Sequence, residues 1–186
     1  EINKASEEAK ELLKPAKLEV TKIVLSGCED CFDIEAAFES IKKQNVEITK
    51  ERTLLLDESE AKELIRNFNI QKIPTLIFSG EVNKTQQLKS FFDGVGEFSG
   101  QNDAVYTSIS PPYYDVPLAK VVGRVSIVNV LDSSCKECVP LSQVIIALKQ
   151  SGVAVTEEKS YEYTSKEGID LINKFNVSRI PAILIS

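Results

Sequence analysis

Four residues have the type and spacing to do chemistry: Cys28 with Cys31, and Cys135 with Cys138. They are all the cysteines in the chain. Two thiols three residues apart can close a disulfide with little backbone movement. A thiolate that attacks a disulfide, and a second thiol that resolves the product, are what disulfide exchange needs. The charges between the cysteines differ. Glu29 and Asp30 separate the first pair, and Lys136 and Glu137 the second. The acids oppose a thiolate at Cys28, whereas the lysine supports one at Cys135. Cys28 is therefore expected to be the less acidic thiol and the first pair the more reducing.

The elements that must hold these residues are also legible. Each pair follows an apolar, β-branched run, residues 20–25 and 125–131. Each precedes a helical pattern, with Ile34, Phe38 and Ile41 on one face of the first and Leu141, Ile145 and Leu148 on one face of the second. The first cysteine of each pair is thus expected at a helix N-terminus, where free N–H groups and the helix dipole favour a thiolate. A shift of 107 carries every landmark of the first half onto the second, including Phe68-Asn69 onto Phe175-Asn176 and Ile73-Pro74 onto Ile180-Pro181. A register kept without a gap over some fifty residues reads as a tandem duplication.

Composition narrows the chemistry. The chain has 186 residues, 42% of them apolar and 27% charged, as expected of a globular protein large enough for two small domains. A net charge of −6 offers no electrostatic footprint for nucleic acid. The absence of His excludes His-dependent acid–base catalysis, Cys-His pairs and His-ligated metals. No apolar run approaches the roughly 20 residues that span a bilayer. The chain lacks Met and starts at Glu1, which suggests a processed product whose signal or membrane tether has been lost from the N-terminus.

In order, the pattern predicts a helix over 1–14 ended by Pro15, a strand over 18–25, a helix from Cys28 to about residue 45, and a strand over 46–56. A helix over 58–68 follows, then strands over 75–78 and 84–92. Residues 93–122, rich in Gly, Ser and Pro, read as a structured connector. Its tyrosines, Tyr106, Tyr113 and Tyr114, are expected to pin it to a domain face. Residues 125–186 repeat β-α-β-α-β and stop where the first half goes on. The second sheet is therefore expected to lack an edge strand, with Ile183-Leu184-Ile185 at the edge.

A strand, a C-x-x-C, a second strand and helix, then Ile-Pro leading into a strand: this order resembles the thioredoxin superfamily. Gln71-Lys72-Ile73-Pro74-Thr75-Leu76 is similar to the segment around that family's cis-proline, and Ser178-Arg179-Ile180-Pro181-Ala182-Ile183 is a weaker match. The resemblance implies an α/β fold of two tandem thioredoxin-like domains, each three-layer α/β/α with a mixed sheet. The expected boundaries are an N-terminal helix over 1–17, domain one over 18–92, the connector over 93–122, and domain two over 123–186, incomplete at its C-terminal edge.

The resemblance also implies a protein-disulfide oxidoreductase or isomerase, with Cys28 and Cys135 attacking and Cys31 and Cys138 resolving. Ile73, Pro74, Ile180 and Pro181 would bind substrate. Redox-active disulfides are the only cofactor implied. The partners implied are protein thiols or disulfides and a reductase or oxidase. The chain departs from the family in three places. Gly27 and Ser134 stand where Trp is usual, Glu-Asp and Lys-Glu stand where Gly-Pro is usual, and Lys22 and Asn129 stand where an acid is often buried. Glu29, Asp30 and Glu137 are the acids near enough to replace that proton acceptor. Two other readings remain: a Cys₄ zinc site, and a thioredoxin-fold binding module whose disulfides are structural. The compartment is open, with a lean to an extracytoplasmic, formerly tethered domain.

Overall fold

The structure is a computed structural model that describes residues 13–151 and 153–186. The chain forms two compact units, one ending at Val122 and one beginning at Gly123.

The first unit is built on a five-stranded sheet. β1 (Ala16–Val24) lies parallel to β2 (Val46–Leu55) and antiparallel to β4 (Thr75–Gly80), and β6 (Asp103–Tyr106) and β5 (Gly96–Ser99) complete the order β2-β1-β4-β6-β5. Strand alternation sends side chains to both faces. Leu18, Val20, Leu76 and Phe78 bury on one face against α1 (Ile34–Lys42) and α3 (Gln86–Val95). Ile23, Leu54 and Ile77 bury on the other against α2 (Ser59–Asn67). Ala104 and Val105, adjacent on β6, split between the two cores. The result is three layers, α/β/α.

Three expectations are corrected here. The strand expected over 84–92 is the helix α3. Leu88 and Phe92, four apart, are its buried face, and the Thr85 hydroxyl caps it by accepting the Leu88 N–H at 3.2 Å. The expected connector 93–122 is not one, because it supplies the end of α3 to the first unit and β5 and β6 to that unit's sheet. Its later part, β7 (Tyr113–Asp115) and β8 (Lys120–Val122), makes a small sheet with β3 (Lys72–Ile73) in the order β3-β7-β8. Its Gly, Ser and Pro residues mark turns within a packed domain. The first unit therefore runs on to Val122. The tyrosines do attach this segment: Tyr106 stacks on Phe32 with ring centres 6.1 Å apart, and Tyr114 packs on the second core. The helix expected over 1–14 lies, but for its last two residues, outside the described residues.

The second unit has β9 (Arg124–Leu131) at its centre, parallel to β10 (Ala154–Glu162) and antiparallel to β11 (Ala182–Ile185). α4 (Ser142–Gln150) and α5 (Lys166–Phe175) form the two connections, which gives the expected β-α-β-α-β. Ile127, Val130 and Ile145 are buried, and Ile145 is the centre of the face read from the sequence. Ser165 caps α5 by accepting the Gly168 N–H, and Asn176 ends the helix in the left-handed conformation. No described helix is long and apolar enough to cross a membrane.

Candidate active site

Each cysteine pair sits in the loop between the first strand of its unit and the following helix. Cys28–Cys31 and Cys135–Cys138 are disulfides, with Cα atoms 5.3 and 5.5 Å apart. Gly27, at a φ of +76°, turns the chain into the first loop. The Cys31 N–H then donates to the Cys28 carbonyl at 3.4 Å, and the Phe32 N–H to the Pro112 carbonyl at 2.8 Å. In the second loop the Asp132 carboxylate accepts the Ser134 N–H at 2.9 Å, while Ser133 bonds to Glu162. All four cysteines are half-buried, and Glu29, Asp30, Lys136 and Glu137 are exposed beside them.

The expected position at a helix N-terminus is corrected. α1 starts at Ile34 and α4 at Ser142, so neither cysteine lies on a first helical turn. The N-terminus of α1 is taken by Asp33, whose carboxylate accepts the N–H groups of Glu35 at 3.0 Å and Ala36 at 3.2 Å. An aspartate just before an apolar helical run is the signal that identifies this cap. The helix dipole therefore serves Asp33 rather than a thiolate.

The Ile-Pro steps do reach the cysteines. Ile73–Pro74 and Ile180–Pro181 are cis, as is Pro111–Pro112. Pro74 lines a cavity of about 260 Å³ with Cys28 and Cys31, and Pro181 lines one of about 390 Å³ with Cys135, Cys138 and Asn129. Ile73 is fully buried in β3, where it pairs with Tyr114.

The two positions six residues before the first cysteines differ in chemistry. Lys22, 4% exposed, bonds to Glu35 and Glu51, each at 2.7 Å, and lies 4.5 Å from the centre of the Phe38 ring. Burial pushes its ammonium down, but the hydrogen bonds and charges of Glu35 and Glu51 outweigh burial and hold it above its ordinary 10.5. The stability that Lys22 gives is therefore complete below that value and is lost as pH rises through the raised one. Lys22→Met, which keeps the apolar volume and has nothing to deprotonate, is expected to lose less stability than wild type on titration from pH 9 to pH 12. Denaturant midpoints across that range check it, and parallel losses in the two chains contradict it.

Asn129, 8% exposed, donates from Nδ2 to the Ser160 hydroxyl at 3.2 Å. Its Oδ1 is buried without a hydrogen-bond partner among the described residues. An amide neither takes nor gives a proton near neutral pH. Neither unit thus buries a carboxylate at this position.

Asp30 Oδ1 lies 3.6 Å from Cys28 Sγ. A carboxylate this close opposes a thiolate by like charge. With Cys31 and Cys138 changed to serine, Cys135 is expected to be alkylated by iodoacetamide about tenfold faster than Cys28 at pH 7, which corresponds to one pKa unit. Mass-spectrometric rates per cysteine measure it, and a faster Cys28 contradicts it.

Among the described residues, no group of three or more His, Cys, Asp and Glu is placed to hold a metal ion. All four cysteine sulfurs are engaged in the two disulfides.

Each unit thus has a central strand with a parallel and an antiparallel neighbour, a C-x-x-C disulfide after it, and an Ile-Pro step into the antiparallel strand. Neither a protein-family model nor a curated protein matches the sequence. Among solved structures the chain is similar to a protein disulfide oxidoreductase from Aeropyrum pernix k1, at 17% identity and a TM-score of 0.24, over 99% of this chain and 82% of that one. It is also similar to the alkylhydroperoxide reductase AhpF from Enterococcus faecalis, at 14% identity and a TM-score of 0.27, over 98% and 89%. The NTD_N/C domain of that protein gives 16% identity and a TM-score of 0.26, again over 98% and 89%.

Proposed function

We propose that the chain is a thiol–disulfide oxidoreductase of two tandem thioredoxin-like domains, exchanging disulfides with protein substrates at both C-x-x-C sites. The observation that carries this reading is the same in both units. Each disulfide, its cysteines half-buried in an exposed loop, opens onto a cavity whose wall includes the proline of the Ile-Pro step. A disulfide that only stapled the fold would gain most by closing a long loop; these close three residues and stay in reach of solvent.

In the reaction, the thiolate of Cys28 or Cys135 attacks a substrate disulfide. One substrate sulfur leaves as thiolate and a mixed disulfide forms. Cys31 or Cys138 then attacks that mixed disulfide, re-forms the C-x-x-C disulfide and releases the second substrate thiol. The substrate is reduced and the pair is oxidised; a reductase returns the pair to the dithiol, or an oxidase partner drives the cycle in reverse. Glu29, Asp30, Lys136 and Glu137 set how readily each thiolate forms. The reduction of insulin by dithiothreitol tests the reading. The wild-type chain is expected to shorten the lag before insulin precipitates, and a lag equal to that of dithiothreitol alone would overturn it.

A further inference from the structure

The shift of 107 that relates the two halves also holds in their strand pairing. Lys22 lies opposite Thr53 as Asn129 lies opposite Ser160, and Val20 opposite Glu51 as Ile127 opposite Glu158. In the first unit Lys22, Glu35, Phe38 and Glu51 meet. The buried Lys22 ammonium bonds to both carboxylates at 2.7 Å and lies 4.5 Å from the centre of the Phe38 ring. None of the four lines the cavity beside Cys28 and Cys31.

In the second unit the same positions are Asn129, Ser142, Ile145 and Glu158, and all four line the cavity of about 390 Å³ beside Cys135 and Cys138. Asn, Ser and Ile are smaller than Lys, Glu and Phe, so the room arises from these side chains themselves. One carboxylate is kept and the cation is gone. Among the described residues, the charged groups of the lining are Asp132 and Glu158, both acids. The Asp132 carboxylate already accepts from the Ser134 N–H and hydroxyl. Lys149 bonds to Glu158 Oε2 at 2.9 Å, but its side chain is half exposed and stands outside the lining. Asn129 Oδ1 is buried without a hydrogen-bond partner among the described residues. A buried acceptor is costly to leave unpaired, and a bound donor relieves that cost. The lining runs from buried Asn129 and Ile145 to exposed Val139 and Glu158, so a ligand can enter from solvent.

We propose that this cavity takes the ammonium group of a small aminothiol disulfide, in the place that the Lys22 ammonium fills in the first unit. Asn129 Oδ1 accepts a hydrogen bond from the ammonium, Glu158 balances its charge, and Leu141 and Ile145 offer apolar wall to its short alkyl arm. The inference rests on the exchange reading above and names a substrate class for the second site. The Cys135 thiolate attacks one sulfur of the disulfide, the old sulfur–sulfur bond breaks, and one aminothiolate leaves with the electron pair. Cys138 then attacks the mixed disulfide and the second aminothiolate leaves. The two leaving groups take up the proton of Cys138 and one from water; the pair is oxidised and the small disulfide reduced.

The reduced chain is mixed with cystamine, whose arms end in ammonium groups at pH 7, or with 2-hydroxyethyl disulfide, which is of like size and uncharged. Acid quenching, alkylation and mass spectrometry give the oxidation rate of each pair. The ratio of the two rates at one pair, its cystamine preference, cancels thiolate fraction. Changing Asn129→Leu and Glu158→Gln together is expected to lower the preference of the second pair about tenfold, the worth of a charge-assisted hydrogen bond, and to leave that of the first pair unchanged. Glu157→Gln removes the same charge from the neighbouring position, outside the lining, and is expected to leave both preferences unchanged. On the unaltered chain, n-butylammonium, the lysine side chain as a free amine, is expected to slow cystamine at the second pair alone. A preference that the double change does not move, or that Glu157→Gln lowers equally, overturns the proposal, as does butylammonium that slows neither pair or both. If the pairs still exchange with 2-hydroxyethyl disulfide faster than free dithiothreitol does, the exchange reading stands and only the cavity inference falls; if they do not, both fall.

Discussion

Replacing Cys28 and Cys135 together by serine is expected to bring protein-disulfide reduction down to the rate of the reductant alone while keeping the fold. A serine hydroxyl cannot form a sulfur–sulfur bond, so no mixed disulfide can start at either site. The fold survives because neither disulfide closes a long loop and neither cysteine is in a main core: the first core is Leu18, Phe38 and Phe78 with their neighbours. Each single replacement leaves one working site. Replacing Cys31 or Cys138 instead is expected to leave the attacking thiol, so that substrate accumulates as a mixed disulfide on Cys28 or Cys135, visible as a mass increase on that cysteine's peptide. Activity that persists in the double replacement, measured beside a matching circular dichroism spectrum, contradicts the assignment.

Phe38→Ala is expected to destabilise the first unit by about 3–5 kcal/mol, the range for truncating a buried aromatic. Phe38 is fully buried on α1 against β1 and β4, and the Lys22 and Lys42 ammonium groups lie 4.5 and 4.2 Å from its ring centre. Truncation opens a cavity beneath the helix that follows the first cysteine loop and leaves the Lys22 ammonium over empty space. Domains of this size have a total stability of about 5–15 kcal/mol, so the loss is a large share of it. Denaturant unfolding gives the size of the effect. Limited proteolysis locates it, with early cuts expected between Ala16 and Val122 and none added after Gly123. A midpoint shift equivalent to less than about 1 kcal/mol would mean that α1 is not held by this side chain.

The two disulfides and the prolines beside them were legible because cysteine and proline are residue types that have few other uses. Four cysteines confined to two C-x-x-C pairs, each followed at the same distance by Ile-Pro, place the disulfides beside Pro74 and Pro181. The periodicity of Ile34, Phe38 and Ile41 gave the right face of α1, because a helix must bury one stripe against the sheet. Where that helix begins was not legible from the cysteines, because Asp33 competes for the same N–H groups and its carboxylate is the better cap.

Residues 84–92 misled because Leu88, Phe91 and Phe92 are compatible with strand propensity, while the Thr85 cap and the i, i+4 pair decide for helix. The stretch after residue 93 misled for a different reason. Gly, Ser and Pro serve short hairpins as well as linkers, and only long-range pairing, Tyr114 with Ile73 and Ala104 with Phe98, tells the two apart. Residues 112–116, which reach both Phe32 and Ile73, are thus the part around the first disulfide that local pattern could not reach.

The reduction potential of each pair is the most direct measurement of the central claim. The wild-type chain is equilibrated in graded glutathione and dithiothreitol buffers, and the thiols of each pair are counted by mass spectrometry. The account predicts potentials between about −120 and −270 mV for both pairs, the range of exchange catalysts, with Cys28–Cys31 the more negative of the two. Two pairs that resist reduction below about −300 mV would mark the disulfides as structural and contradict it.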